Sequence, residues 1–312
     1  MATKVRKLAP VPRRKKSPAP RIVVILSRNK GLYSTRRLMQ ACKDQGHRPA
    51  VLDTLRCNIM LERGKPALFY GNLSVPPPDV VIPRIGSSIT AYGLAVVNQF
   101  DMMGVPVLNN SVPIARSRDK LRALQLLARF GVGIPKTIMA HHRADIQQLV
   151  DYVGGLPAIV KLIQGTQGIG VMIASTMEEI TTLLNTFWDL GHDVLLQQFI
   201  KESKGRDVRA LVVGDRVVAA MRRQAKAGEF RSNIHRGAEG RPVTLSREYA
   251  DTAVKAARII GLEVAGVDML ESNNGPMIME VNSSPGFEGI ETATKLDVAG
   301  QIISHAIQFA DA

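Results

Sequence analysis

The chain has 312 residues, 45% of them hydrophobic, and a formal net charge of +14. That length suits about two domains and that apolar fraction suits a packed core, which excludes wholesale disorder. The longest apolar runs, such as Ile22-Val23-Val24-Ile25-Leu26, fall far short of the ~18 residues of a membrane span, and no apolar stretch follows the basic N-terminus as a secretory signal requires.

The surplus charge is uneven. Lys4, Arg6, Lys7, Arg13, Arg14, Lys15, Lys16 and Arg21 lie in a leading stretch without acids, which leaves +6 for the rest. With Pro10, Pro12, Pro18 and Pro20 interspersed, residues 1–20 read as a disordered basic tail, able to touch a polyanion or simply solvated. The two cysteines, Cys42 and Cys57, form no disulfide framework, and a cytoplasmic setting is expected.

A buried parallel strand is expected over 22–26 and a helix capped by Ser34 up to Gly46. Strands over 49–53, 79–83 and 105–108, with a helix between the last two, make an open α/β layer. An amphipathic helix capped by Ser117 runs to Gly131. Strands follow over 138–140, 158–163, 171–174 and 194–200, with helices over 145–153 and 176–190. Strands over 207–213 and 216–221, a helix over 246–260, two strands flanking Asn273-Asn274-Gly275 and a helix over 297–309 complete the chain.

Three segments carry chemistry. Gln164-Gly165-Thr166-Gln167-Gly168-Ile169-Gly170 follows an apolar strand holding Lys161. It lacks the Gly-Lys-Ser/Thr of a P-loop and leads into a strand-like run, unlike a dinucleotide turn. A hairpin turn is the plain reading. A lysine in an apolar strand beside a glycine flap suggests instead a nucleotide phosphate site. Second, Asp268 and Glu280 are each six residues from Asn274. A hairpin centred there pairs them, and period two puts Asn282 on the same face. Those three oxygen donors suit a hard cation such as Mg²⁺, whereas a solvated polar face conflicts with the apolar flanks. Third, Arg222, Arg223 and the Phe230-Arg231-Ser232-Asn233 run suit phosphate or carboxylate recognition, or a solvated basic loop.

A strand lysine, a glycine flap and an Asp…Glu-x-Asn strand in this order resemble the ATP-grasp ligases. IPRIGSSIT (82–90), ARSRDKLRALQLLARFG (115–131), VKLIQGTQGIGV (160–171), EFRSNIHRG (229–237), AGVDML (265–270) and MEVNSSPGFEGIE (279–291) are similar to the RimK-type alpha-L-glutamate ligases, over about residues 21–309. The resemblance implies an α/β architecture of α+β lobes: an N-terminal pre-ATP-grasp domain over 21–116, a central lobe over 117–200 and a C-terminal lobe over 201–312. It implies that Lys120, Lys161, Gly165, Thr166, Gln167, Gly168 and Gly170 bind ATP phosphates, with Gln198 and Phe199 at the adenine hinge. Asp207, Arg231, Ser232 and Asn233 would line the nucleotide or substrate site. Asp268, Glu280 and Asn282 would hold Mg²⁺ or Mn²⁺, as two ions, and Arg223 would steady an acyl phosphate. The implied partners are L-glutamate and the C-terminus of the sixth small-subunit ribosomal protein, and the implied assembly is a homotetramer. The family usually has Glu-Tyr where Gln198-Phe199 stand, and an acid before two arginines where Arg222-Arg223-Gln224 stand. Relatives acting on a cofactor tail or a carrier protein make a second reading, and a basic ribosome-binding protein with a degenerate enzyme fold makes a third.

Overall fold

Chain alternation and burial produce four sheets among the described residues. The structure is a computed structural model that describes residues 19–141, 145–162, 170–203, 205–226 and 239–312. Strand β1 (Ile22–Leu26) ends in four buried residues, as an inner parallel strand should. It is followed by α1 (Tyr33–Asp44), β2 (Arg48–Leu52), β3 (Cys57–Met60), β4 (Ala67–Tyr70), β5 (Leu73–Ser74) and β6 (Val80–Pro83). The order β2-β1-β6 is parallel throughout, and β3-β4-β5 form a separate antiparallel sheet.

Three expectations are corrected here. Helix α1 begins one residue before Ser34 with Leu32 as an uncapped N-cap; the Ser34 hydroxyl instead accepts from Arg84 Nη2 at 3.3 Å. The strand expected over 105–108 reduces to one bridge, Val81 with Val107, because Pro106 has no N–H to continue a ladder. The helix expected to start at Ser117 is two helices, α3 (Ser111–Arg118) and α4 (Lys120–Arg129), after α2 (Thr90–Met102). Asp119 is the cap between them, accepting from Arg122 N at 3.0 Å, while Ser117 donates back to Ile114 O.

The second lobe comprises β7 (Thr137–Ala140), α5 (Ile146–Tyr152), β8 (Ala158–Leu162), β9 (Val171–Ala174), α6 (Met177–Asp189) and β10 (Val194–Gln198). Its sheet, β7-β10-β8-β9, is antiparallel. Thr176 and Glu179 close a capping box at the start of α6. Buried residues of this lobe, including Val160, Ile180, Leu184 and Leu196, pack in a cluster of their own.

The third part holds β11 (Arg206–Val213), β12 (Arg216–Gln224), β13 (Glu239–Pro242), α7 (Arg247–Ile260), β14 (Val264–Ser272), β15 (Gly275–Asn282), α8 (Glu288–Thr294) and α9 (Val298–Ala310). The sheet runs β13-β12-β11-β14-β15. One face, through Val208, Ala210, Val212 and Val267, packs on α4 and α7. The other begins apolar: Leu211, Val213, Ala219 and Met221 share a core with α8, α9, α1 and β1. Further along the strands that face becomes polar, and the site lies there.

Asn109 fastens these layers. It is 4% exposed and adopts a left-handed φ of 69°. Its Oδ1 accepts from Glu263 N and Val264 N at 2.8 and 3.1 Å, and its Nδ2 donates to Val264 O and Ser283 O at 2.7 and 3.0 Å. Asn109→Ala leaves backbone groups unpaired, and we expect a loss of about 2–4 kcal/mol in denaturant unfolding.

Candidate active site

The hairpin of β14 and β15 delivers the carboxylate pair by an unexpected route. The turn is two residues, Asn273-Asn274, with Ser272 opposite Gly275 and Met269 opposite Ile278. Continued without interruption, that register would set Asp268 against Met279. A bulge between Asp268 and Met269 in the pairing brings Glu280 opposite Asp268. One extra residue on β15 thus re-aims the side chain, a common use of bulges near sites. Asn282, opposite Gly266, follows on the Glu280 face. Its Oδ1 accepts from Ser284 N at 2.9 Å.

Asp268 belongs to a buried chain of alternating charge. Arg209 lies opposite it on β11 and binds both its oxygens, Nε to Oδ1 at 2.7 Å and Nη2 to Oδ2 at 2.6 Å. Arg223 on β12 reaches Asp268 Oδ2 from Nη2 at 3.0 Å. It also binds Asp207 with Nε and Nη2 at 2.6 and 2.7 Å. Asp207, Arg223 and Asp268 are 2%, 2% and 5% exposed, so these ions are largely removed from water and depend on one another. Burial pushes the Asp268 carboxyl up, but Arg209 and Arg223 outweigh it and hold it well below the usual range. Burial likewise lowers Arg223, and Asp268 and Asp207 more than reverse it. Arg223 is therefore enclosed by carboxylates and does not stand open to a substrate.

Glu280, by contrast, is exposed. Three cations feel its charge: Arg118, Lys120 and Lys161. Burial pushes Lys161 down to about 8, Glu280 opposing it and Lys120 adding to it. Lys161 Nζ donates to Gln197 Oε1 at 2.6 Å, and Gln197 Nε2 donates to Thr137 Oγ1 at 2.8 Å. Lys120 at the start of α4 donates to Leu162 O at 3.4 Å. Lys120 and Lys161 thus come from different elements, α4 and β8, into the field of the Glu280 carboxylate.

Gly170 closes the described edge of the glycine loop with φ +79°. Strands β8 and β9 pair antiparallel on either side of that loop, Lys161 opposite Val171. Gln198, at the end of β10, accepts from Lys136 N at 3.3 Å and its own N donates to Lys136 O at 2.8 Å. Phe199 is half-buried beside it. Gly165, Thr166, Gln167, Gly168, Arg231, Ser232 and Asn233 lie outside the described residues, as does most of the basic tail.

Among the described residues no group of three or more His, Cys, Asp or Glu could hold a metal. The pair Asp268 and Glu280 with the Asn282 amide supplies oxygen only, which suits Mg²⁺ with substrate phosphates completing its shell. Arg209 was not anticipated, although its period-two spacing from Asp207 within an apolar strand was a readable signal.

Residues 22–114 match the RimK pre-ATP-grasp domain and residues 117–306 the RimK-like ATP-grasp domain. The chain belongs to the RimK-like ATP-grasp family. It is an ATP-dependent carboxylate–amine ligase. It is 54% identical over 280 residues to a probable alpha-L-glutamate ligase of Vibrio parahaemolyticus, covering 90% of this chain and 93% of that one. It is 55% identical over 282 residues to probable alpha-L-glutamate ligase 1 of Hahella chejuensis, with the same coverage. The fold matches the ATP-grasp ligase PsnB complexed with minimal precursor, Mg and ADP, with a TM-score of 0.74, 21% identity and coverage of 93% and 98%. It also matches the D-alanine–D-alanine ligase of Bacillus anthracis complexed with ATP, with a TM-score of 0.65, 16% identity and coverage of 94% and 97%. No helix among the described residues is long and apolar enough to cross a membrane.

Arg223→Met should cost about 3–5 kcal/mol in denaturant unfolding, because it strands Asp207 and half-strands Asp268. The sign with pH is fixed by the lowered Asp268 carboxyl. Its contribution is present above about pH 4 and disappears as pH falls. The stability gap between wild type and Arg223→Met should therefore narrow below about pH 4.

Proposed function

We propose that the chain adds L-glutamate to a C-terminal carboxylate of a protein, that of the sixth small-subunit ribosomal protein, through an acyl phosphate. The observation that carries this reading is Glu280, opposite Asp268 in the hairpin and acting by its charge on Lys120 and Lys161, supported by the naming of relatives at 54% and 55% identity. Amide formation from a free carboxylate is uphill, so phosphoryl transfer from ATP first supplies a leaving group.

In this reading Lys120 and Lys161 hold ATP phosphates, and the segment Gly165, Thr166, Gln167, Gly168 and Gly170 covers them. Gln198 and Phe199 receive adenine. Asp207, Arg231, Ser232 and Asn233 border the nucleotide and substrates. Asp268, Glu280 and Asn282 would hold Mg²⁺ or Mn²⁺, two ions in all, which would supply positive charge against that developing on the transferred phosphoryl group. Arg209 and Arg223 fix Asp268 before that happens. Arg223, whose Nη2 is shared between Asp207 and Asp268, would steady the acyl phosphate and its oxyanion only as substrate charge draws it from those carboxylates. The incoming amine then attacks the acyl carbon and phosphate leaves, with the flap excluding water. The family's four-subunit assembly fits the same reading.

A second acceptor class is kept on one observation. PsnB, the fold neighbour, has been captured with a precursor peptide, so a peptide carboxylate other than a ribosomal C-terminus fits the same site. Intact-mass spectrometry decides between them, with ATP, Mg²⁺, L-glutamate and each acceptor. The ribosomal protein should gain a ladder spaced by one glutamyl residue, and Glu280→Ala should reduce the rate at least about 100-fold. ADP formation with no glutamyl ladder on any acceptor would overturn the glutamate assignment.

Lys161 adds a pH test. Its charge is lost as pH rises through about 8, so the KM for ATP should rise above that pH. Lys161→Arg should flatten that rise across the same range.

A further inference from the structure

Among the described residues, two guanidiniums beside β15 have no anionic partner. Arg84 lies in the loop after β6 and Arg118 at the end of α3, both half-buried. Arg84 Nη2 donates to Pro285 O at 2.7 Å, and Arg118 Nη2 donates to Ile85 O. Arg84 also lies over the Phe287 ring, 5.7 Å from its centroid. Among the described residues neither guanidinium has a carboxylate within ion-pair distance. Their Nε atoms are shut from solvent and unpaired, as are the hydroxyls of Ser283 and Ser284. Four of the five such buried polar atoms among the described residues therefore gather at one seam, where the β6–α2 loop meets the β15–α8 loop.

This is an unfavourable arrangement for a protein left to itself. Buried donors without acceptors cost free energy, and like charges add to it. Burial and repulsion by Arg118 push Arg84 down to about 10. A staple between two loops needs one arginine bonded to carbonyls; it does not need a second cation beside the first. A guanidinium pair flanked by hydroxyls is the donor set of a carboxylate site. A cavity of about 10 Å³ beside Arg84 and Ser283 holds at most one water. The substrate group is thus assigned to the side of the seam toward Glu280, whose charge acts on Arg118.

We propose that Arg118 and Arg84, with the Ser284 hydroxyl, form a subsite that binds a carboxylate of the ligase's amino-acid or peptide substrate next to Glu280. It rests on the glutamyl-transfer reading above and deepens it. Carboxylates enter that reaction on both substrates, the α- and γ-carboxylates of the incoming L-glutamate and that of the acceptor end, and the chemistry of recognition is the same for all of them.

The test is calorimetric titration of the full chain with Mg²⁺ and a non-hydrolysable ATP analogue. One arm uses L-glutamate as probe and the other a peptide ending in glutamate, each with wild type, Arg118→Gln and Ser284→Ala. Thermal melting checks that the variants fold. Arg118→Gln should weaken one probe by about 10- to 100-fold, as loss of a charged hydrogen-bond partner does, and leave the analogue within about twofold. The probe that weakens identifies the source of the carboxylate. Ser284→Ala should weaken the same probe by a few-fold, and it tests the site even if Arg118→Gln does not fold. Unchanged binding of both probes overturns the proposal, as does parallel weakening of the analogue, which would assign Arg118 to ATP. A wild type that binds neither probe overturns it too. A wild type that binds a probe through Arg118 yet transfers no glutamate overturns the functional reading and leaves the subsite standing.

Discussion

The site depends on one electrostatic arrangement, the alternating row Asp207, Arg223, Asp268 and Arg209 across three strands. Each ion is costly to bury alone, and each is offset by its neighbours on the adjacent strand. The row cannot be shortened from either end without leaving a charge stranded. It therefore fixes the register of β11 against both β12 and β14, and through that register the position of Glu280. Asp268 is held rigid by arginines, while Glu280 remains exposed. The pair combines one preorganised oxygen donor with one that can respond to a ligand.

A second consequence concerns charge around the nucleotide end. Lys120 and Lys161 come from an N-terminal helix turn and from a strand of the separate lobe, and both act on Glu280. Their burial weakens their hold on protons, so an incoming polyanion gains more there than it would from solvated lysines. The hydrogen bond from Lys161 to Gln197 sets the direction of that charge.

Much of this was legible before any coordinates. The β14–β15 pairing followed from turn chemistry and period two, and the alternation of elements gave the layers. Yet the Asp268–Glu280 pairing held only because a two-residue turn and a bulge at Met279 together equal the three-residue turn assumed from Asn273-Asn274-Gly275. Local sequence carries no separate signature of that compensation. The Ser117 cap failed because a serine and an aspartate two residues apart both suit the role, and helix α3 claimed the serine. Strands β3 to β5 and helix α8 were missed, being short and weakly periodic. Arg209, Arg84 and Arg118 were overlooked because an arginine reads as solvated until its neighbours are known.

The cores are divided unequally. Val23, Ile25 and Leu38 of the N-terminal layer share one apolar cluster with Leu211, Met221, Phe287 and Ile302, whereas the β7–β10 lobe buries its side chains among themselves. The interior of that lobe is therefore self-contained, and it shares no residue with the cluster that joins the other two layers. An N-terminal layer cut away from the rest would expose half of a shared interior, so removing it should unfold the third layer with it while the β7–β10 lobe keeps its own core.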